Sequence, residues 1–142
     1  MNKHPYSVER FQFGIEVLYQ QIIDSGIQYN HIVGLSRGGL VPAVSLSHKL
    51  GVPLIPVVWS TTSKKGNIDV MDLVDNPRHR ILVVDDILDS GVTMKTFLDY
   101  HGKMDVGVLI YNAEQEVVPN YYVETINRSV FPNWIDFWWE TL

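Results

Sequence analysis

The chain of 142 residues has no cysteine, which excludes disulfides and thiolate zinc sites. It has no apolar run near the ~20 residues that a membrane helix needs. Its opening, Met1 to Tyr6, lacks the apolar core of a signal peptide. Five histidines are scattered with no pair at metal-ligand spacing. Positive charge is also scarce: 11 Lys and Arg stand against 16 Asp and Glu, a net charge of −5. That balance argues against nonspecific nucleic-acid binding and against a DNA-binding regulator, both of which need a basic face. Any polyanionic ligand must then be held by local donors and a metal, not by the overall field. No repeat, linker or low-complexity segment occurs. The remainder is ordinary for a globular domain, 46% hydrophobic and 19% charged. The length suits one domain spanning 1–142, and the expected location is cytoplasmic.

The most informative stretch runs from Ile81 to Thr96. Ile81 to Val84 are four apolar residues in a row, as expected of a strand buried on both faces of a parallel sheet. Two adjacent carboxylates follow, Asp85 and Asp86, then Asp89-Ser90-Gly91-Val92 and Thr93 at the start of a predicted helix. In open α/β sheets, ligands lie at the carboxyl ends of strands beside helix N-termini. Residues 89 to 93 suit a phosphate, with Gly91 permitting close backbone approach and hydroxyls adding donors. The doubled aspartate suits a sugar diol or a magnesium ion. A calcium loop does not fit, since Ile87 stands at its third position and Thr96 at its twelfth. A capped surface turn would explain Asp89 and Ser90 but not the aspartate pair. Together the features match a ribose 5-phosphate.

A second strand-to-helix turn lies at Gly34 to Pro42, with Ser36-Arg37-Gly38-Gly39 between strand and helix. It is neither a Walker loop nor a Gly-x-Gly-x-x-Gly fingerprint. It can still bind an anion, through free N–H groups and the guanidinium fork of Arg37. The competing reading is a tight turn with Arg37 facing solvent.

Around these loops the periodicity predicts helices over 7–25 (Ser7 capping, Gly26 ending, with Val8, Phe11, Ile15, Leu18 and Ile22 facing inward), 40–50 and 93–100. Strands are expected at 31–35, 54–59, 81–84 and 106–111, the second placed near an edge by its prolines. Residues 60–80 read as a long mobile loop with Lys64 and Lys65, the triplet Lys65-Gly66-Asn67 suiting a hairpin turn. Residues 113–142 read as short strands and an aromatic tail. The alternation predicts an α/β fold with a doubly wound, mainly parallel sheet.

Val83 to Thr93 resembles the phosphoribosyl diphosphate (PRPP) motif of type I phosphoribosyltransferases, and Ser36 to Pro42 resembles the pyrophosphate loop of the bacterial xanthine–guanine (6-oxopurine) members. The resemblance covers nearly the whole chain, is tight over 34–51 and 83–93, and loosens after 112. It implies transfer of 5-phosphoribosyl from PRPP to a purine base, giving a nucleoside 5′-monophosphate and pyrophosphate in purine salvage, with Mg2+ as cofactor and a homodimer or homotetramer as the assembly. It implies that Asp85 and Asp86 hold the ribose hydroxyls and magnesium, that Asp89 is the catalytic base, and that Asp89, Ser90, Gly91, Val92 and Thr93 bind the 5′-phosphate. Ser36, Arg37, Gly38 and Gly39 would bind pyrophosphate, with the Ser36–Arg37 peptide bond in cis. Lys64 and Lys65 would belong to a lid. Trp134 and Ile135, in a stretch similar to the family's Trp-Ile-x-x-Pro-Trp, would cover the purine in a C-terminal hood, while Trp138 and Trp139 pack elsewhere. Asn112, expected to bind the base as well, departs from the family: it stands where a lysine donates to the purine 6-oxo group, and its neutral amide could donate there or accept from an exocyclic amine. The alternatives are a non-catalytic PRPP or nucleotide sensor on the same fold and an enzyme for another base.

Overall fold

A computed structural model describes residues 2–63 and 65–140; Lys64 lies outside the described residues. The elements in chain order are β1 (Lys3–Tyr6), α1 (Val8–Ser25), β2 (His31–Ser36), α2 (Leu40–Leu50), β3 (Leu54–Val58), α3 (Ile68–Val74), β4 (Ile81–Leu88), α4 (Val92–His101), β5 (Asp105–Asn112), β6 (Tyr121–Ile126) and β7 (Trp134–Phe137). A 3-10 turn follows at Trp138–Glu140. Five strands form one sheet in the order β3-β2-β4-β5-β6, with every pairing parallel. β1 and β7 pair in parallel as a separate two-stranded sheet.

The apolar run of β4 explains the layering. Successive side chains point to opposite faces, so Leu82 and Val84 join Ile32 in a core under α1 and α2. Ile81 and Val83 join Val33, Leu35 and Val57 under α3 and α4, where Val70, Met94 and Phe97 are fully enclosed. β3 is the sheet's edge on one side, where its prolines are tolerated. The chain winds outward from β2 to β3 and the other way from β4 to β5, so the switch point lies between β2 and β4. Both loops singled out in the sequence open there.

Helix α1 is bounded as its residues predict. Ser7 Oγ accepts from Arg10 N–H at 3.1 Å, and Gly26 takes a left-handed φ of 73° with its N–H on Ile23 O. Phe11, Ile15, Leu18 and Ile22 are buried, but Val8 is exposed in the first turn. Ser7→Ala should cost about 1 kcal/mol through loss of the cap, read as a small fall in melting temperature with no change in ligand affinity.

Three features differ from the expected elements. Residues 68–74, expected within a loop, form helix α3, capped by Asn67 Oδ1 accepting from Val70 N–H at 3.1 Å; Lys65-Gly66-Asn67 makes no hairpin. β4 continues through Asp85 and Asp86 to Leu88. The tail splits: β6 joins the main sheet, and only β7 and the turn after it, paired with the unforeseen β1, form a hood. Tyr6 packs on Phe137 at 5.0 Å between ring centroids, and Trp138 and Trp139 meet Phe11 at 5.9 and 5.5 Å. These two tryptophans bind the hood to α1.

Candidate active site

At the carboxyl end of β4 each aspartate holds its neighbour's backbone. Asp86 N–H donates to Asp85 Oδ1 at 2.9 Å, and Ile87 N–H to Asp86 Oδ1 at 2.7 Å. Burial, and then the charge of Asp86, push the Asp85 carboxyl well above the usual aspartate range. Burial also raises Asp86. No ion pair to either is found among the described residues. Two adjacent carboxylates, one buried and one half-buried, are costly to ionise together.

The loop after β2 lies directly on this pair. The Ser36–Arg37 peptide bond is cis. A Cβ on Gly38 would overlap the Asp86 carboxylate, with Cγ 2.6 Å away. One on Gly39 would stand 2.6 Å from Val84 O and 2.7 Å from Leu35 O. Gly38 is thus required by the close approach of the Asp86 carboxylate, and Gly39 by the backbones of β2 and β4. Arg37 and Gly38 then face a cavity of about 640 Å3 together with Asp86, Trp134, Trp139 and Glu140.

Across the switch point, Gly91 takes a left-handed φ of 82° and opens α4 with no side-chain cap. Its Cβ position is filled by Gln115 Oε1. Ser90 Oγ accepts from Val92 N–H at 3.3 Å. The first turn of α4 therefore starts one residue before Thr93, and its N–H groups face the loop that the sequence marked for phosphate.

The hood closes the site from above. A second cavity of about 150 Å3 is lined by Asp86, Ile87, Asp89, Arg128, Trp134, Ile135, Phe137 and Glu140. It shares Asp86, Trp134 and Glu140 with the first, so the two are halves of one cleft. Trp134 is 51% exposed while Ile135 is buried beside it. Glu140 receives the Trp134 indole, and its carboxyl is raised by burial and then by the charges of Asp86 and Asp136.

Two residues here escaped sequence reasoning. Arg128, just after β6, holds Asp89 in a two-pronged pair: Nε donates to Oδ1 and Nη2 to Oδ2, both at 2.9 Å. Its Nη1 donates to the hood carbonyls of Asn133 at 2.5 Å and Phe131 at 3.3 Å. Hydrogen bonding to Asp89 raises the guanidinium pKa further. A lone arginine with its partner 39 positions away carries no sequence signal beyond its place at a strand's carboxyl end. Glu140 was the second, hidden among the tail's aromatics.

Asn112 ends β5, the place that the resemblance gave it, but its side chain is turned to the backbone and not to the cleft. It is buried, its Nδ2 donates to Asp89 O at 2.9 Å and its Oδ1 accepts from Glu114 N–H at 3.2 Å. It lines neither half of the cleft. The amide supports the Asp89 loop from below, since a short side chain on the last residue of β5 reaches that backbone first. Lys65 is exposed between β3 and α3. The structure thus gathers residues 36–39, 85–93, Trp134 and Ile135 at one sheet end, and leaves Asn112 beneath it.

A parallel sheet whose two glycine-bearing turns flank a carboxylate pair under an aromatic hood is the architecture of phosphoribosyl transfer. The phosphoribosyl transferase domain family matches residues 6–141. The chain belongs to that family. A xanthine-guanine phosphoribosyltransferase of Desulfotalea psychrophila is 22% identical over 97% of this chain and 86% of its own length. Among solved structures, a purine phosphoribosyltransferase from Pyrococcus horikoshii is 28% identical, with a TM-score of 0.75 over 100% of this chain and 96% of its own. A xanthine-guanine-hypoxanthine phosphoribosyltransferase of Helicobacter pylori is 24% identical, with a TM-score of 0.76 over 99% and 95%.

Proposed function

We propose that the protein transfers the 5-phosphoribosyl group of PRPP to a purine base, releasing pyrophosphate and forming a nucleoside 5′-monophosphate for purine salvage. The observation that carries this reading is the cleft itself. Arg37 and Gly38 of the pyrophosphate-ready loop, Asp86 of the carboxylate pair, Asp89 and Trp134 all line it, and the phosphate-ready start of α4 follows Asp89 directly in the chain.

In this reading the 5′-phosphate sits on the N–H groups and hydroxyls of residues 90–93. Asp85 and Asp86 receive the ribose hydroxyls, and Arg37 with the amides of Gly38 and Gly39 holds the pyrophosphate. Stacking on Trp134 contributes about 1–3 kcal/mol to holding the base. The N9 lone pair of the purine forms the bond to C1′ while the bond from C1′ to pyrophosphate oxygen breaks, its electron pair leaving with pyrophosphate. The proton on N7 passes to the Asp89 carboxylate, which lines the same cavity as Trp134 and whose role needs hydrogen-bond reach to the ring. The carboxylates favour the positive charge that builds at C1′.

The donor set fits magnesium. Two carboxylates supply hard oxygen ligands, and among the described residues no cluster of three metal-binding side chains occurs. PRPP oxygens would therefore complete the shell, the usual arrangement for this ion. Bound there, magnesium supplies charge neutralisation for the pyrophosphate. The reading includes a cytoplasmic location and a homodimer or homotetramer; among the described residues no helix is long and apolar enough to cross a membrane. It also includes Lys65 as part of a lid over the cleft.

Pyrophosphate release from PRPP with a panel of purines and pyrimidines tests the assignment, and a purine must be the productive acceptor. Tight PRPP binding without release in any mixture would identify a sensor instead. Arg37→Ala should weaken PRPP and pyrophosphate by about tenfold or more, the scale of a charged hydrogen bond. It should leave a 5′-mononucleotide, which has no pyrophosphate, close to wild type. Equal losses for all three ligands in calorimetric titration would make Arg37 structural.

A further inference from the structure

The pair formed by Arg128 and Asp89 has an unused edge. A guanidinium carries five N–H donors. Nε and one Nη2 hydrogen go to Asp89, and Nη1 goes to the carbonyls of Asn133 and Phe131. One N–H on Nη2 remains. Asp89 Oδ2 accepts only from Nη2 among these contacts, 2.9 Å away, and keeps a second lone pair. Both side chains line the 150 Å3 half of the cleft beside Trp134, and both stay partly open to it, at 23% and 42% exposure. A donor and an acceptor therefore stand one hydrogen-bond length apart, facing the place where the base stacks.

That couple matches one edge of one class of purine. For N9 to attack with its lone pair, the ring proton must be on N7. A 6-oxopurine in that form presents N7–H next to O6, a donor beside an acceptor. Adenine presents N7–H next to an amine, two donors, and the second would oppose the guanidinium. Unsubstituted purine presents N7–H alone.

We propose that Arg128 is the residue that selects for a 6-oxo group: its free Nη2–H donates to O6 while Asp89, held in place by the same guanidinium, accepts N7–H. This rests on the purine-transfer reading above and deepens it. It also accounts for Asn112. With its amide committed to Asp89 O and Glu114 N–H, the cationic donor comes from the end of β6. Because Nη1 is bonded to the carbonyls of Asn133 and Phe131, the chain that leads into Trp134 is placed by the side chain that reads the base. Substitution at purine C2 lies outside this contact, so Arg128 leaves the choice among hypoxanthine, guanine and xanthine to other groups.

The test is a ratio, kcat/KM for hypoxanthine over kcat/KM for unsubstituted purine, each measured with PRPP by pyrophosphate release. In the wild type hypoxanthine should be favoured about 10- to 100-fold, the worth of one hydrogen bond to a charged group. In Arg128→Ala both rates should fall, because Asp89 loses its orientation, and the ratio should collapse to within about threefold of unity. A merely structural arginine would lower both rates and leave the ratio unchanged, which overturns the assignment. If Arg128→Ala does not fold, Arg128→Lys decides: one ammonium cannot hold both Asp89 oxygens and reach O6, so the ratio must fall there too, and an unchanged ratio overturns the proposal. Equal kcat/KM for the two bases in the wild type overturns the Arg128 assignment alone. No release with any purine overturns the transferase reading, and this assignment with it.

Discussion

Gly39→Ala is expected to lower the melting temperature by many degrees and to abolish pyrophosphate release. The added methyl would meet Val84 O at 2.6 Å, Leu35 O at 2.7 Å and Asp85 Cα at 3.0 Å, all backbone atoms of the two central strands. No side chain can rotate away to make room. The Gly39 N–H also bonds Leu35 O at 2.9 Å, so the loop cannot lift without losing that bond. Overpacking a core with one carbon costs typically 1–3 kcal/mol when side chains can adjust, and more when they cannot. β2 and β4 would have to separate at the point where Arg37 and the aspartate pair face each other. Gly26→Ala is the matched control. Nothing lies within 4 Å of its Cβ position, and only its φ of 73° resists the change. That costs about 1–2 kcal/mol for an L-residue and leaves turnover intact. A Gly39→Ala melting temperature equal to that of Gly26→Ala, with pyrophosphate release retained, would show that the two loops are not in fixed contact.

The same close packing explains which parts of the molecule could be read from the chain. α2 was legible because Pro42 and Gly51 mark its first turn and its end within the sequence itself, and α1 because Ser7 and Gly26 do the same. The Ser36–Arg37 cis bond followed from a resemblance of local sequence. The apolar run predicts a strand that ends at Val84, where Asp85 and Asp86 interrupt it, yet pairing of Asp85 with Val108, and of Ile87 with Ile110, carries the strand on. α3 was hidden by Lys65-Gly66-Asn67, whose turn-forming residues suggested a hairpin, whereas Asn67 acts as a helix cap. β1 could not be seen at all. Its four residues gain their strand conformation from Trp134 to Phe137, more than a hundred positions away. Arg128 was hidden for the same reason, since its meaning lies in Asp89. Local signals were readable, and the resemblance gave a C-terminal hood with Trp134 and Ile135, but the pairing of the chain's two ends that builds it was not readable.

Asp85→Asn is expected to separate stability from activity in opposite directions. In the folded, ligand-free chain, burial and then the neighbouring Asp86 hold the Asp85 carboxyl well above its ordinary range. In the unfolded chain it titrates near the usual ~3.9. Below that value the carboxyl is protonated in both states, and its contribution to folding is fully present. As pH rises, the unfolded chain gives up its proton first, and the contribution is lost through the raised folded value. Asparagine never ionises, so it removes this loss. Its Oδ1 can still accept from Asp86 N–H, the bond that Asp85 makes at 2.9 Å. The melting temperature of the variant without ligand should therefore draw further above wild type as pH is raised from about 4 toward neutrality. Turnover should move the other way. A ribose diol and a divalent ion both need the carboxylate's charge, and removing one preorganised charged group from such a site costs about 100-fold or more in rate. Thermal melts across that pH range, paired with kcat/KM for PRPP in magnesium, read both effects on the same preparation. A melting temperature that falls at every pH, with kcat/KM unchanged, would assign Asp85 to the fold and leave the ribose to Asp86 alone.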